Sequence, residues 1–216
     1  MIKAVMFDIG GVLTTGPFEG FARYEREANL PDGLLRQINS TNPDTNAWAK
    51  FERGQVDFGG FSELFESEAA ALGYTVDAPS VMAAIGGGPR PGMVEAVRFC
   101  RGRYKTAALT NNFVAAGNGR GRSEDAPNFY EGLFDVVIES SKIGVRKPDP
   151  RFYEMACEAL DVLPTESVFL DDLGVNLKPA REMGMHTIKV VSGEQALTEL
   201  YAVLGVAPDG WEPQPA

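Results

Sequence analysis

Residues 3–8, Lys-Ala-Val-Met-Phe-Asp, form a short apolar run that ends in a carboxylate and opens almost at once into Gly10-Gly11. Such a run, closed by paired glycines, reads as a buried strand feeding a tight loop. The theme returns in the second half of the chain, and that recurrence constrains the fold more than any other feature. Strands are predicted over 105–110, 134–139, 167–171 and 186–191. Between them lie helical patterns at about 92–103, from Asp149-Pro150 onward, at about 175–183 and at 193–204. Asp149 suits an N-cap and Pro150 the first helical position. Alternation of this kind implies an α/β fold, a doubly wound, Rossmann-like parallel sheet covered on both faces.

Residues 16–88 break the rhythm. Segments 17–29, 44–53 and 58–73 carry apolar residues at helical spacing (Phe61, Leu64, Phe65, Ala69, Leu72), with no strong strand pattern between them. Gly86-Gly87-Gly88-Pro89-Arg90-Pro91 closes the stretch as a hinge or linker. The expected organisation is a core domain from residues 1–15 and 89–207, an inserted helical cap at 16–88, and a C-terminal tail at 208–216. An insertion after the first strand stands above the carboxyl ends of the sheet, where ligands bind in such folds, so a lid is the natural reading. A purely structural insert would give the same pattern.

The formal net charge of −10 argues against a nucleic-acid surface, which needs clustered Lys and Arg. Any handling of a phosphorylated substrate then requires local positive charge, from a metal ion and one or two placed basic residues. No apolar run approaches the roughly 20 residues of a membrane span, and the N-terminal segment does not read as a signal peptide. Cys100 and Cys157 fall inside helical patterns, as reduced, buried thiols do. A cytoplasmic protein is expected, with its oligomeric state open.

Four polar clusters fall at the carboxyl ends of predicted strands: Asp8, Thr110-Asn111-Asn112, Lys147 in the loop after 134–139, and Asp171-Asp172. Each has an ordinary explanation. A lone Asp at a strand end serves as a turn or cap, Thr-Asn-Asn as a polar loop, Lys147 as a surface lysine, and Asp171-Asp172 as a helix cap. In a doubly wound sheet, however, these ends converge on one crevice. Carboxylates from separate strands make a hard-oxygen site fit for Mg²⁺. A further carboxylate can attack phosphorus, while a hydroxyl, backbone amides and a lysine hold and offset the charge.

The wording of these clusters resembles the haloacid dehalogenase superfamily over about residues 3–204. Phe7-Asp8-Ile9-Gly10-Gly11-Val12 looks like its first motif, Leu109-Thr110-Asn111-Asn112 its second, and Arg146-Lys147-Pro148-Asp149-Pro150 its third. Val168-Phe169-Leu170-Asp171-Asp172-Leu173-Gly174-Val175-Asn176 looks like its fourth. Residues 134–150 and 168–190 are further similar to the N-terminal phosphatase domain of soluble epoxide hydrolases and to the comparable domain of certain acyl-CoA dehydrogenase-like proteins. The resemblance implies a Mg²⁺-dependent phosphohydrolase acting on a small phosphorylated substrate. Asp8 would be nucleophile and metal ligand, with the Gly10 carbonyl and Asp172 completing the protein's share of the metal site. Thr110 and the amide of Asn111 would hold the phosphoryl group, and Lys147 would stabilise it on Asp8. Asp171 and Asn176 would act around them, through water or loop amides.

One departure stands out. Most phosphatases of the superfamily carry a second Asp two residues after the nucleophile, which protonates the leaving oxygen and then activates water; here that residue is Gly10. Such acid–base help is worth about 10²–10⁴-fold. Glu19, Glu25, Asp44 and Asp57 are the substitutes the sequence offers, whereas His186 reads as a structural strand residue. Gly117-Asn118-Gly119-Arg120-Gly121-Arg122 lacks the strand-to-helix context of a phosphate loop and reads as a surface loop. Two other readings follow: a catalytically weak or inactive domain that binds Mg²⁺ and a phosphorylated ligand, and a haloacid dehalogenase.

Overall fold

The computed structural model describes residues 1–85, 87–113, 130 and 132–206. Among them, five parallel strands form one sheet: β1 (Ala4–Phe7), β2 (Lys105–Thr110), β3 (Val136–Glu139), β4 (Ser167–Asp171) and β5 (His186–Lys189). Their order is β3-β2-β1-β4-β5, with the order reversing at β1. The predicted doubly wound sheet is therefore present, and its switch point lies beside the strand that carries Asp8. Strands predicted at 134–139 and 186–191 are shorter, because pairing covers only Val136–Glu139 and His186–Lys189.

Among the described residues, six α-helices lie between β1 and β2, the first five being α1 (Pro17–Glu27), α2 (Leu34–Ser40), α3 (Ala47–Glu52), α4 (Phe58–Ala71) and α5 (Ala78–Ala84). The rest are α6 (Pro91–Arg101), the single turn α7 (Ser140–Ile143), α8 (Pro150–Leu160), α9 (Gly174–Glu182) and α10 (Gly193–Leu204). Helix α8 starts as its sequence directs, with Asp149 accepting from the Arg151 amide and Pro150 in the first turn.

Alternation along the strands sorts the side chains onto two faces. Val5, Phe7, Val168 and Leu170 join α6 and α10 on one side. Ala4, Met6, Leu109 and Phe169 join α8 and α9 on the other. Both faces are apolar, which is why β1 and β4 read as near-continuous hydrophobic runs. Cys100 and Cys157 are free and buried on α6 and α8, and burial pushes the Cys100 thiol up to about 12. A thiol so rarely ionised is a packing residue.

Helices α1–α5 have a core of their own. Phe21, Leu35, Trp48, Phe51, Phe61 and Phe65 meet there, largely through edge-on and stacked ring contacts. Two neighbouring strands of chain form the stem: Thr15 N–H donates to Gly88 O at 3.2 Å and Arg90 N–H to Leu13 O at 2.7 Å. The Gly117–Arg122 loop and the tail at 208–216 lie outside the described residues. Among the described residues, no helix is long and apolar enough to cross a membrane.

Candidate active site

Asp8 follows the last residue of β1, where the backbone leaves the sheet and its amide still donates to Leu170 O at 2.9 Å. Its Oδ1 accepts from the Ile9 amide at 2.7 Å and pairs with Lys147 Nζ at 2.9 Å. The Lys147 ammonium is almost wholly buried and also meets Asp171 Oδ2 at 2.8 Å. Asp171, the last residue of β4, takes further hydrogen bonds from Asn176 Nδ2 at 3.0 and 3.1 Å and from the Leu173 amide at 2.7 Å. Asn176 is steadied in turn by Tyr153, whose hydroxyl donates to its carbonyl at 2.6 Å. Asp171 is thus fully engaged, while the adjacent Asp172 is partly open to solvent.

Asp8, Asp171 and Asp172 bring one ligand oxygen each to within 4.8 Å of one another. Burial, with repulsion from Asp171 and Asp172 added, holds the Asp8 carboxyl well above the usual range, against the pull of Lys147. Burial works against the charge on Lys147, but Asp171 and Asp8 outweigh it and hold the ammonium above its ordinary value. Burial followed by Asp171 pushes Asp172 up to about 6. Three carboxylates facing one ammonium leave a surplus of two negative charges when all are ionised. That charge and an all-oxygen donor set fit one divalent hard cation such as Mg²⁺.

The wide turn Ile9–Leu13, closed by Thr14 N–H on Ile9 O at 3.0 Å, sets the floor of the crevice. Gly11 has φ +76°, and a Cβ on it would stand 2.4 Å from Asp172 Cγ. Asp172 therefore packs directly on the Gly11 backbone. Gly10 has φ −67° and nothing within 4 Å of where a Cβ would be. The place of the missing acid is open space.

Thr110 ends β2, buried and paired in register with Glu139. Asn111 grips the peptide of Lys147 in both directions: its Nδ2 donates to Lys147 O at 3.0 Å and its Oδ1 accepts from Lys147 N at 2.9 Å. Asn112 does the same for the start of α7, reaching Glu139 Oε1 at 2.7 Å and accepting from Ser141 Oγ at 2.8 Å. Two asparagines thus lock the loop after β2 to the loops after β3. From sequence alone, Asn112 was merely part of a polar loop.

Two of the candidate acids, Glu25 and Asp57, are engaged within the insertion itself. Glu25 is buried, with its carboxylate accepting from the amides of Gly33 and Leu35 at 2.9 and 2.8 Å. Asp57 caps α4 through the Gly60 amide, and Glu19 and Asp44 are exposed. His186 is exposed at the amino end of β5, the end of the sheet opposite Asp8. One half-buried carboxylate of this insertion feels the charge of Lys147, and the sequence did not single it out. Glu52 pairs with Arg146 Nε at 2.7 Å, and its carboxyl is raised by burial against the opposing charges of Arg146 and Lys147. On an amphipathic helix Glu52 looks like an ordinary solvent-facing residue, and nothing local marks it otherwise. A cleft of about 630 Å³ lined by Asp44, Arg53, Arg146, Asp149 and Arg151 runs along this seam, apart from Asp8.

A parallel sheet that gathers a strand-end aspartate, a buried lysine and an aspartate pair into one cluster defines an α/β protein with an acidic, lysine-bridged site at the carboxyl ends of its strands. The chain belongs to the haloacid dehalogenase-like hydrolases, a family that matches residues 2–184. It is 34% identical over 209 residues to the mouse acyl-CoA dehydrogenase family member 10, covering 94% of this chain and 19% of that protein. It is 29% identical over 220 residues to the pig bifunctional epoxide hydrolase 2, covering 95% and 39%. The chain thus spans about a fifth to two fifths of those relatives. With a phosphatase of Mycobacterium tuberculosis it shares 34% identity over 198 residues, covering 88% of this chain and 87% of the other. A predicted HAD-like hydrolase from Porphyromonas gingivalis has the same fold at a TM-score of 0.66 and 18% identity, covering 94% and 98% of the two chains.

Proposed function

We propose that this hydrolase is a Mg²⁺-dependent phosphatase of small phosphate esters, with Asp8 as the group that takes up the phosphoryl. The observation that carries the reading is the buried Lys147 ammonium held between Asp8 and Asp171, with Asp172 beside them. The phosphatase of M. tuberculosis, similar over most of both chains, supports it.

An oxygen of Asp8 attacks phosphorus, the bond from phosphorus to the ester oxygen breaks, and an aspartyl-phosphate forms. Water then attacks the same phosphorus, the bond to Asp8 breaks, and inorganic phosphate leaves with the carboxylate restored. Lys147 offsets the negative charge that would otherwise repel Asp8 from a phosphate. Thr110 and the Asn111 amide hold the transferring oxygens, and Asp171 and Asn176 keep Lys147 and the following loop in place. Asp8, Asp172 and the Gly10 carbonyl would hold the Mg²⁺, which supplies positive charge to the phosphoryl oxygens. Helices α1–α5 act as a cap that shields the crevice from water. Two unpaired, buried thiols suit a reducing cytoplasm.

With glycine at position 10, nothing there protonates the departing oxygen. Aryl phosphates, whose leaving groups need little protonation, are expected to turn over faster than alkyl phosphates by a margin of the order of 10²-fold or more. The deciding experiment is phosphate release from an ester panel with and without Mg²⁺, wild type beside Asp8→Asn. Metal-dependent release lost in Asp8→Asn is expected, and no release across the panel would defeat the reading. Gly10 motivates a second reading, a domain that binds Mg²⁺ and a phosphorylated ligand without turnover. Calorimetry would then show binding alone, and Gly10→Asp, for which there is room, would confer activity. Dehalogenation of a haloacid that survives EDTA would point instead to a haloacid dehalogenase.

A further inference from the structure

Two consecutive residues of α3 reach the two loops that carry the polar groups of the site. Phe51 stacks on Phe113, ring centroids 4.8 Å apart and planes 14° from parallel. Phe113 lies three residues beyond Thr110 on the same loop. Glu52 pairs through Oε2 with Arg146 Nε at 2.7 Å, and Arg146 directly precedes Lys147. The Arg146 guanidinium also donates from Nη1 to Pro43 O at 2.9 Å, so it is held at two points of the insertion. On the other side, the Lys147 peptide is gripped by Asn111. The segment that sets the lysine is therefore suspended between the loop after β2 and helix α3.

We propose that Glu52 is a positioning residue for Lys147: through Arg146 it ties α3 to the peptide of Lys147 and so fixes the ammonium between Asp8 and Asp171. A lysine side chain has a flexible four-carbon stem, so its head stays in one place only if the peptide and both partners do. A guanidinium bridging a carboxylate and a carbonyl resists displacement in more than one direction, as a lone exposed ion pair does not. The pair is half-buried, which keeps salt from screening it fully. In this arrangement Glu52 acts through the Arg146 guanidinium that engages its Oε2, not as a replacement for the missing acid. The stacked Phe51 and Phe113 give α3 a second, apolar hold on the neighbouring loop.

The test compares Glu52→Gln, which keeps the shape and removes the charge, with Glu52→Asp and wild type. Its kinetic arm rests on the phosphatase reading; its spectroscopic arm does not. In the kinetic arm kcat on an aryl phosphate is expected to fall about 10- to 100-fold in Glu52→Gln, as for a misplaced catalytic group, with KM little changed and part of the loss recovered in Glu52→Asp. In the other arm the ¹⁵N resonance of the buried Lys147 ammonium, assigned by its loss in Lys147→Met, is expected to shift or broaden in Glu52→Gln. An unmoved resonance with kcat intact would overturn the proposal, and so would a rise in KM alone, which would make Glu52 a substrate contact. Should wild type release no phosphate, the phosphatase reading fails and the ammonium resonance decides this proposal by itself. Should Glu52→Gln not fold, Arg146→Lys, which keeps a charge but cannot bridge Glu52 and Pro43 as a fork, takes its place with the same outcomes.

Discussion

At Gly11 the backbone sits at φ +76°, and a Cβ would collide with the Asp172 carboxyl at 2.4 Å. Gly11→Ala is therefore strained twice over, in its own dihedral and against Asp172. A stability loss of about 1–3 kcal/mol is expected, together with weaker Mg²⁺ binding, read by thermal unfolding and calorimetry. Gly10→Ala, with an ordinary φ and open space, is expected to change the thermal midpoint little. Asp172 also sets a pH dependence. Its carboxyl is raised to about 6 from an ordinary 3.8, so between those values the folded protein keeps a proton that the unfolded chain has lost. The metal-free protein accordingly loses stability as pH rises through that window and levels off above it. Asp172→Asn should flatten the slope and raise the midpoint at pH 7, while weakening Mg²⁺ binding; an unchanged slope would assign the effect to another group. The paired glycines were visible as a tight turn, but which of them needs to be glycine depends on Asp172, 161 residues later.

Helix α2 is preceded at its N-cap by Gly33, a left-handed residue with no side chain to cap it. Glu25 of α1 supplies the missing acceptors for the Gly33 and Leu35 amides. Glu25→Ala should therefore destabilise the protein by about 1–3 kcal/mol by leaving the buried Leu35 amide and the part-buried Gly33 amide unpaired, with kcat unchanged per folded molecule. A loss of kcat without a loss of stability would instead restore Glu25 as a candidate acid. Long elements were legible because they contain whole periods. The pattern for 58–73 corresponds to Phe58–Ala71, and that for 193–204 to Gly193–Leu204. Helices Leu34–Ser40, Ala78–Ala84 and Ser140–Ile143 were not foreseen. Each spans two turns or fewer, too short for an amphipathic period to declare itself, and α2 takes its cap from another helix. Phe21, Tyr24, Trp48 and Phe51 pack into the insertion's own core.

Among the described residues, an apolar cluster lies on each face of the sheet and a third within α1–α5. Because Phe61 is fully buried in the third, at 0% exposure, and touches neither of the others, Phe61→Ala should act locally. It is expected to cost about 3–5 kcal/mol within the insertion. Hydrogen exchange should show protection lost across residues 17–84 and kept in β1, β2 and β4; equal loss in the sheet would mean that the clusters unfold as one.

The amino-acid order by itself pointed to the parallel sheet, to the run of helices after β1, and to Asp8, Thr110, Lys147, Asp171 and Asp172 as candidates for one site. It could do so because periodicity and strand-end position are local properties, and the switch point of a doubly wound sheet gathers strand ends in one place. Tertiary structure alone decided what holds that set in register. The lysine's place depends on Asn111, Arg146 and Glu52, and the aspartate pair's on Gly11, Asn176 and Tyr153. Those partners lie on separate loops and helices, so their pairing depends on packing distance and not on any spacing along the chain.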